Sequence, residues 1–175
     1  MADELKALIR NIPDFPKKGI MFRDITTLLR AGPEFAKVVD RLAAECSKRD
    51  PEAILAMESR GFVLGGALSY RLELPFIPAR KPGKLPWKTA KEDYELEYGR
   101  ATLEVHTDAV SPGQRVVVVD DLLATGGTAL AAARLVEKLG GKVAGMVFLI
   151  ELESLKGREC LKGYDVFSLV KYESE

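Results

Sequence analysis

The sequence has little histidine, cysteine or tryptophan: one, two and one residue respectively, and its 26 basic side chains are balanced by 26 acidic ones. Each scarcity excludes something. His106, Cys46 and Cys160 fall short of the ligand set that a zinc site needs. The balanced charge gives no global field to attract nucleic acid or an anionic membrane, so any anion must be held by locally clustered groups. The longest apolar runs are far shorter than a membrane span. The opening MADELKALIR carries charges where a signal peptide needs an apolar core, so a cytoplasmic protein is expected. There is no repeat or low-complexity tract, and neither a Walker A loop nor a Gly-x-Gly-x-x-Gly fingerprint occurs.

What is present is an ordinary globular composition, 47% hydrophobic and 30% charged, in a chain of a length that suits one domain over residues 1–175. Leu5, Leu8, Ile9 and Ile12 have helical spacing ended by Pro13. Residues 13–29 mix proline, glycine and aromatics as an ordered loop does, and residues 1–32 form an N-terminal segment. Phe35, Val38, Val39, Leu42 and Cys46 line one face of a helix over 33–48, which makes Cys46 a core residue, whereas Cys160 is an isolated thiol. AILAM, PFIPARK, RVVVVD, KVAGMVFLIEL and DVFSLVKY read as strands. GFVLGGALSYRL and GTALAAARLVEKLG read as helices between them, the first with glycines for close packing. Strands that are apolar throughout and alternate with helices predict an α/β fold, a mostly parallel twisted sheet flanked by helices. By contrast YELEYG and ATLEVH alternate apolar and polar residues, which predicts an antiparallel hairpin turning at Gly99-Arg100 and projecting as a flap. The long polar stretch PGKLPWKTAKED before it predicts a mobile functional loop, so residues 82–106 read as loop plus flap.

The most informative stretch is RVVVVDDLLATGGT, where a buried strand ends on two carboxylates followed by a glycine-rich turn that opens a helix. Ligands bind beyond the carboxyl ends of parallel strands. In Thr125, Gly126, Gly127 and Thr128 backbone N–H groups converge, the hydroxyls add donors and the helix dipole favours an anion, which together make a phosphate cradle. Asp120 and Asp121 repel that phosphate but accept from hydroxyls, so a ribose 5-phosphate has the matching shape. Taken alone, an N-capping turn with two solvated aspartates is an equally good reading.

This stretch resembles the phosphoribosyl-pyrophosphate motif of the type I phosphoribosyltransferases. DFPKKGIMFRDIT, ESRGF, RKPGKLP, YELEYG, DLLATGGT and ELESLKGRE also occur in the order and spacing of the adenine-specific branch of that family, over nearly the whole chain. The resemblance implies transfer of a phosphoribosyl group from phosphoribosyl pyrophosphate to adenine, giving AMP and pyrophosphate with the help of magnesium. It assigns Asp120 and Asp121 to the ribose and Ala124 to Thr128 to the 5-phosphate. Magnesium is expected to arrive on the substrate, near the two aspartates. Ser59 and Arg60 are assigned to pyrophosphate after an often-cis Glu58–Ser59 bond. Arg80, Lys81 and Lys84 are assigned to the same leaving group, Arg80 across a homodimer interface. Met21, Phe22 and Arg23 are implied around adenine in a small N-terminal hood. Arg60 and Glu97 carry the catalytic roles, with Glu97 handling the base proton and Tyr98 beside it in the flap. Read without the resemblance, Arg60 is a surface arginine, Arg80 to Lys84 a solvated turn and Glu97 an exposed hairpin residue. The alternatives are a transferase for another base, or a non-catalytic sensor of phosphoribosyl pyrophosphate; balanced charge and a complete flap weigh against the sensor.

Overall fold

A computed structural model describes residues 2–96 and 99–173. Its centre is a five-stranded, all-parallel sheet made of β3 (Ala53–Met57), β4 (Phe76–Ala79), β7 (Arg115–Leu123), β8 (Lys142–Leu152) and β9 (Val166–Tyr172). The strand order is β4-β3-β7-β8-β9, which puts the valine strand in the middle. Its side chains alternate between two cores. Val117 and Val119 meet Val38, Leu42 and Cys46 of α3 (Gly32–Ser47) and Leu64 and Leu68 of α4 (Arg60–Leu72). Val116 and Val118 meet Ala132, Leu135 and Val136 of α5 (Gly127–Lys138). All four valines are fully buried, which is why the strand is apolar throughout rather than alternating. Cys46 is fully buried in the first core, and burial pushes its thiol up to about 12. Gly65 lets α4 lie on β3, because a Cβ there would overlap Phe76 and the Ala56 side chain.

Three expectations need correction. The helix at the N-terminus, α1, covers Ala2–Ala7 only. Residues Arg10–Ile12 instead form β1, antiparallel to β2 (Phe22–Asp24), with Ile12 opposite Phe22. The apolar spacing continues past the helix because Ile9 is buried in the core, and the strand pairing comes from residues beyond Pro13. A short helix α2 (Thr26–Arg30) then leads into α3.

The hairpin is longer than expected and differently registered. Strand β5 (Thr89–Leu96) pairs with β6 (Gly99–His106) from Thr89 opposite His106 to Leu96 opposite Gly99. Gly99 and Arg100 are therefore strand residues, and the stretch before the hairpin shrinks because Thr89 to Asp93 are paired. The polar segment TAKED gains its order from partners: Leu103 and Val105 of β6 are buried, and Lys91 pairs with the buried Glu104 at 2.7 Å. At the hairpin base, Arg80 and Glu104 exchange both backbone hydrogen bonds, which attaches the hairpin to the end of β4. Along its length it rests on α5, where Glu92 meets Arg134 and Lys138, and Lys138 donates to the Lys91 carbonyl.

Lastly, β7 does not end on the aspartates but runs through them to Leu123. β8 continues through a 3-10 turn (Glu153–Leu155) into the four-residue α6 (Gly157–Cys160). Among the described residues no helix is long and apolar enough to cross a membrane.

Candidate active site

The middle strand carries Asp120 and Asp121 to the carboxyl-terminal edge of the sheet, and the neighbouring strand β3 delivers Ser59 and Arg60 to the same edge. Between Met57 and α4 the Glu58–Ser59 peptide bond is cis. Arg60 then opens the helix, and its Nε lies 2.9 Å from Oδ2 of Asp121. Gly61 follows at the point of closest approach: a Cβ there would sit 2.6 Å from Oδ1 of Asp120. Asp120 also accepts from the Asp121 backbone N–H at 2.9 Å.

Two carboxylates in sequence with one adjacent guanidinium make an electrostatically strained group. Burial and then the charge of Asp121 hold Asp120 well above the usual carboxylate range. Asp121 is also raised by burial, against the pull of Arg60. A ligand that offers hydroxyl donors or positive charge relieves this strain.

Just beyond, Gly126 adopts φ 86, a left-handed conformation that suits glycine, and α5 starts at Gly127 with no side-chain cap on its N-terminus. A small cavity of about 60 Å³ opens here between Asp120, Thr125 to Thr128 and Phe148. The hairpin closes on the same turn from the other side, since a Cβ on Gly127 would lie 2.9 Å from the Glu95 carbonyl oxygen. Between hairpin and helix lies a cleft of about 410 Å³ lined by Tyr94, Glu95, Arg100, Gly127, Arg134 and Cys160. Glu97 and Tyr98, to which catalytic and flap roles were assigned, lie outside the described residues.

The basic segment stands beside the cis peptide. Arg80 donates to Oε2 of Glu58 at 2.7 Å and to the Lys84 carbonyl at 3.2 Å. Burial works against charge on Glu58, but the bond and charge of Arg80, the Lys81 N–H and the charge of Lys84 together outweigh it and hold the carboxyl below its usual range. Lys81 and Lys84 are exposed around this pair. Arg80 is thus engaged within its own chain.

The N-terminal segment meets the site through Phe22. The Arg60 guanidinium sits 4.9 Å from the centroid of the Phe22 ring, and Phe15 packs edge-on against that ring at 5.1 Å. Met21 is half-buried next to it. Arg23 points elsewhere: strand alternation turns it away from Phe22, and its guanidinium stacks 4.0 Å from the Tyr172 ring and donates to Asn11 at 2.5 Å. Its side chain anchors the hood to β9 and β1, so any contact of Arg23 with a base falls to its backbone.

Two features of the site had no role in the sequence reading. Phe148 of β8 forms one wall of the phosphate-sized cavity, hidden in an apolar run with nothing to single it out. The segment Gly157–Cys160 packs behind the turn; the motif ELESLKGRE was the signal for it, without a mechanism attached.

A family model for the phosphoribosyl transferase domain matches residues 26–173. Adenine phosphoribosyltransferase of Desulfitobacterium hafniense is 58% identical over 164 residues, 94% of this chain and 95% of that one. The chain belongs to the adenine phosphoribosyltransferase family. Among solved members, the enzyme of Thermoanaerobacter pseudethanolicus superposes with a TM-score of 0.96 at 54% identity, covering 98% of this chain and all of the other. That of Saccharomyces cerevisiae, solved with adenine and an imino-altritol bisphosphate, has a TM-score of 0.89 at 39% identity and covers 97% and 98% of the two chains. The five-stranded parallel sheet with its flanking helices and antiparallel hairpin is the fold of this family of transferases.

Proposed function

We propose that this protein transfers the 5-phosphoribosyl group of phosphoribosyl pyrophosphate to adenine, yielding AMP and pyrophosphate. The observation that carries the reading is the position of Arg60, in contact with Asp121 at 2.9 Å and with Phe22 at 4.9 Å. One side chain joins the carboxylates suited to a ribose and the aromatic suited to a flat base, at the edge where the glycine-rich turn lies.

Breaking the C1–O bond leaves positive charge on the ribose and negative charge on the departing pyrophosphate, so no protein nucleophile is needed; alignment and charge stabilisation suffice. In this reading Ala124 to Thr128 hold the 5-phosphate, and Asp120 and Asp121 accept from the ribose hydroxyls while their charge favours the cationic transition state. Arg60, with the Ser59 N–H and hydroxyl, meets the pyrophosphate, and Lys81 and Lys84 add positive potential. When the substrate arrives, Arg60 can move from Asp121 toward the leaving group, and the hydroxyls take its place at the carboxylate. Met21 and Phe22 form apolar walls for the base, with backbone groups to read its edge. Glu97 takes the proton that adenine loses from N9, with Tyr98 beside it. The hairpin over α5 excludes water that would hydrolyse the activated sugar.

Magnesium fits as a passenger of the substrate. Among the described residues no group of three or more acidic, histidine or cysteine side chains stands ready to cage it, but the strained doublet offers carboxylate oxygens beside the ribose site. When bound, the ion would supply charge neutralisation on pyrophosphate, and Asp120 and Asp121 are the residues that would hold it. A homodimer in the cytoplasm completes the reading; for the homodimer the support is the exposed apolar side chains Val63 and Tyr70 on α4 and Phe76 on β4.

The test is incubation with phosphoribosyl pyrophosphate, magnesium and each of adenine, hypoxanthine, guanine, xanthine and orotate, following nucleotide formation. AMP from adenine alone is expected. Nucleotide from another base but not from adenine overturns the specificity, and no turnover with any base overturns the transferase reading in favour of a sensor.

A further inference from the structure

The turn Ala124–Thr128 is short, and its two glycines give it freedom to take other shapes. What holds it in one shape lies behind it. The chain leaving β8 passes so close that backbone meets backbone: a Cβ on Gly157 would overlap the Ala124 carbonyl oxygen and press on Leu123, and a Cβ on Gly126 would sit 2.6 Å from the Gly157 carbonyl oxygen. Gly157 therefore forms the floor on which the turn rests.

That floor is not self-supporting. It opens α6, a helix of four residues, far too short to be stable by itself. The next residue, Arg158, ties it down. Its Nε donates to Oε1 of Glu151 at 2.7 Å and its Nη2 to Oε2 at 2.8 Å, a two-pronged pairing, while Nη1 donates to the Val166 carbonyl at 2.8 Å. Glu151 lies in β8 between Leu123 of β7 and Lys171 of β9, only 3% exposed, so its carboxylate belongs to the rigid sheet. Burial opposes its charge, yet the bonds from Arg158 and Ser168 prevail and hold the carboxyl below the usual range. The pair is bidentate on a buried carboxylate while the Arg158 side chain is 41% exposed, and the two-pronged geometry is what fixes position. Leu123, opposite Glu151, is also the residue directly before Ala124.

We infer that Glu151 and Arg158 are positioning residues for phosphate binding: their pair holds Gly157 against Ala124 and Gly126 and so sets the curvature of the turn. The Arg158 guanidinium bonds to Glu151, Val166 and Ser168, all structural partners, so its effect on the ligand passes through the backbone. The inference rests on the reading of Ala124–Thr128 as the phosphate cradle. It adds to it that the cradle is shaped from the β8–β9 connection and not by its own sequence alone.

The test compares AMP with adenosine, which lacks the phosphate, by titration calorimetry on folded protein at 25 °C, with thermal unfolding measured alongside. Arg158→Lys keeps the charge but loses the fork, and Gly157→Ala keeps the pair but puts a methyl group against the turn. Both are expected to raise the Kd of AMP about tenfold while that of adenosine stays within about twofold, a split that general loss of stability does not produce. If AMP and adenosine weaken equally, or if neither changes although the wild type prefers AMP, the positioning role is overturned while the cradle stands. If the wild type binds AMP no better than adenosine, the cradle reading fails and the inference with it. Should Arg158→Lys not fold, Glu151→Gln, which keeps the side chain's shape but removes the charge and one acceptor of the fork, decides in its place by the same comparison of AMP with adenosine.

Discussion

Replacing Asp120 by Asn is expected to stabilise the ligand-free protein while destroying its function. The carboxylate stands next to Asp121, and the cation in reach, Arg60, lies with its Nε on Asp121. Burial and like charge together raise the folded-state pKa of Asp120 well above its ordinary 3.8. A raised pKa means that folding favours the protonated form. The penalty is therefore absent below the unfolded-state value, grows as pH rises through the folded-state value and is complete above it. Each unit of elevation costs about 1.4 kcal/mol at a pH above both values. Asparagine is nearly isosteric, carries no charge and keeps an Oδ1 to accept the Asp121 N–H, so it removes the penalty without a cavity. The gain is read as a higher Tm at pH 8, at roughly 2–4 °C for each kcal/mol recovered in a chain of this size. Calorimetry of both proteins between pH 4 and pH 8 reads it: the Tm difference should be near zero at about pH 4 and widen with pH. Transferase activity should fall by about a hundredfold or more, as when a group that stabilises transition-state charge is lost. A variant that is less stable than wild type at pH 8, or a gap that narrows as pH rises, refutes the account of the doublet as strained.

Glu97→Gln should lower kcat by about a hundredfold or more, with phosphoribosyl-pyrophosphate affinity nearly unchanged, in stopped-assay kinetics and direct titration; normal turnover would remove Glu97 from proton handling. Thr125→Val should weaken AMP by about 1–3 kcal/mol and leave adenosine almost unaffected, because only AMP loses a hydrogen bond to the hydroxyl. Equal losses for the two ligands would mean that the turn is not where the phosphate sits. Phe22→Ala removes the ring that Arg60 and Phe15 pack against. It should raise the KM for adenine about tenfold and that for phosphoribosyl pyrophosphate much less; parallel rises in both would reduce Phe22 to a packing residue.

The legible parts of the molecule are those in which consecutive residues carry the message. Val116 to Val119 are apolar without alternation because both faces of β7 are covered, and no partner needed to be known to see that. Thr125 to Thr128 read as an anion turn because their backbone groups converge within one stretch. The errors fall where the deciding partner is far along the chain. Residues 10–12 are strand only because Phe22–Asp24 return to pair with them, and nothing local competes with the helical spacing that Leu5, Leu8 and Ile9 begin. TAKED has poor strand chemistry and becomes strand because Leu103 and Val105 anchor its partner, while Gly99, with φ 102, looked like a turn marker and sits inside β6.

The same division runs through the site and explains why its halves differ in how they read. The proposed phosphate half comes from one strand and one turn. The proposed base half is assembled from β2 and the start of α4, braced by the end of β9, so its logic appears only in three dimensions. Arg23 shows the consequence. By motif it belongs beside the base, but Phe22 and Arg23 are neighbours in a strand and must face opposite ways, so one can line the pocket and the other can only hold the hood in place. Stacking on Tyr172 and bonding to Asn11 make Arg23 the second kind. A shared motif thus marks a segment as functional without saying which of its side chains touches the ligand; the pleat of the strand decides that.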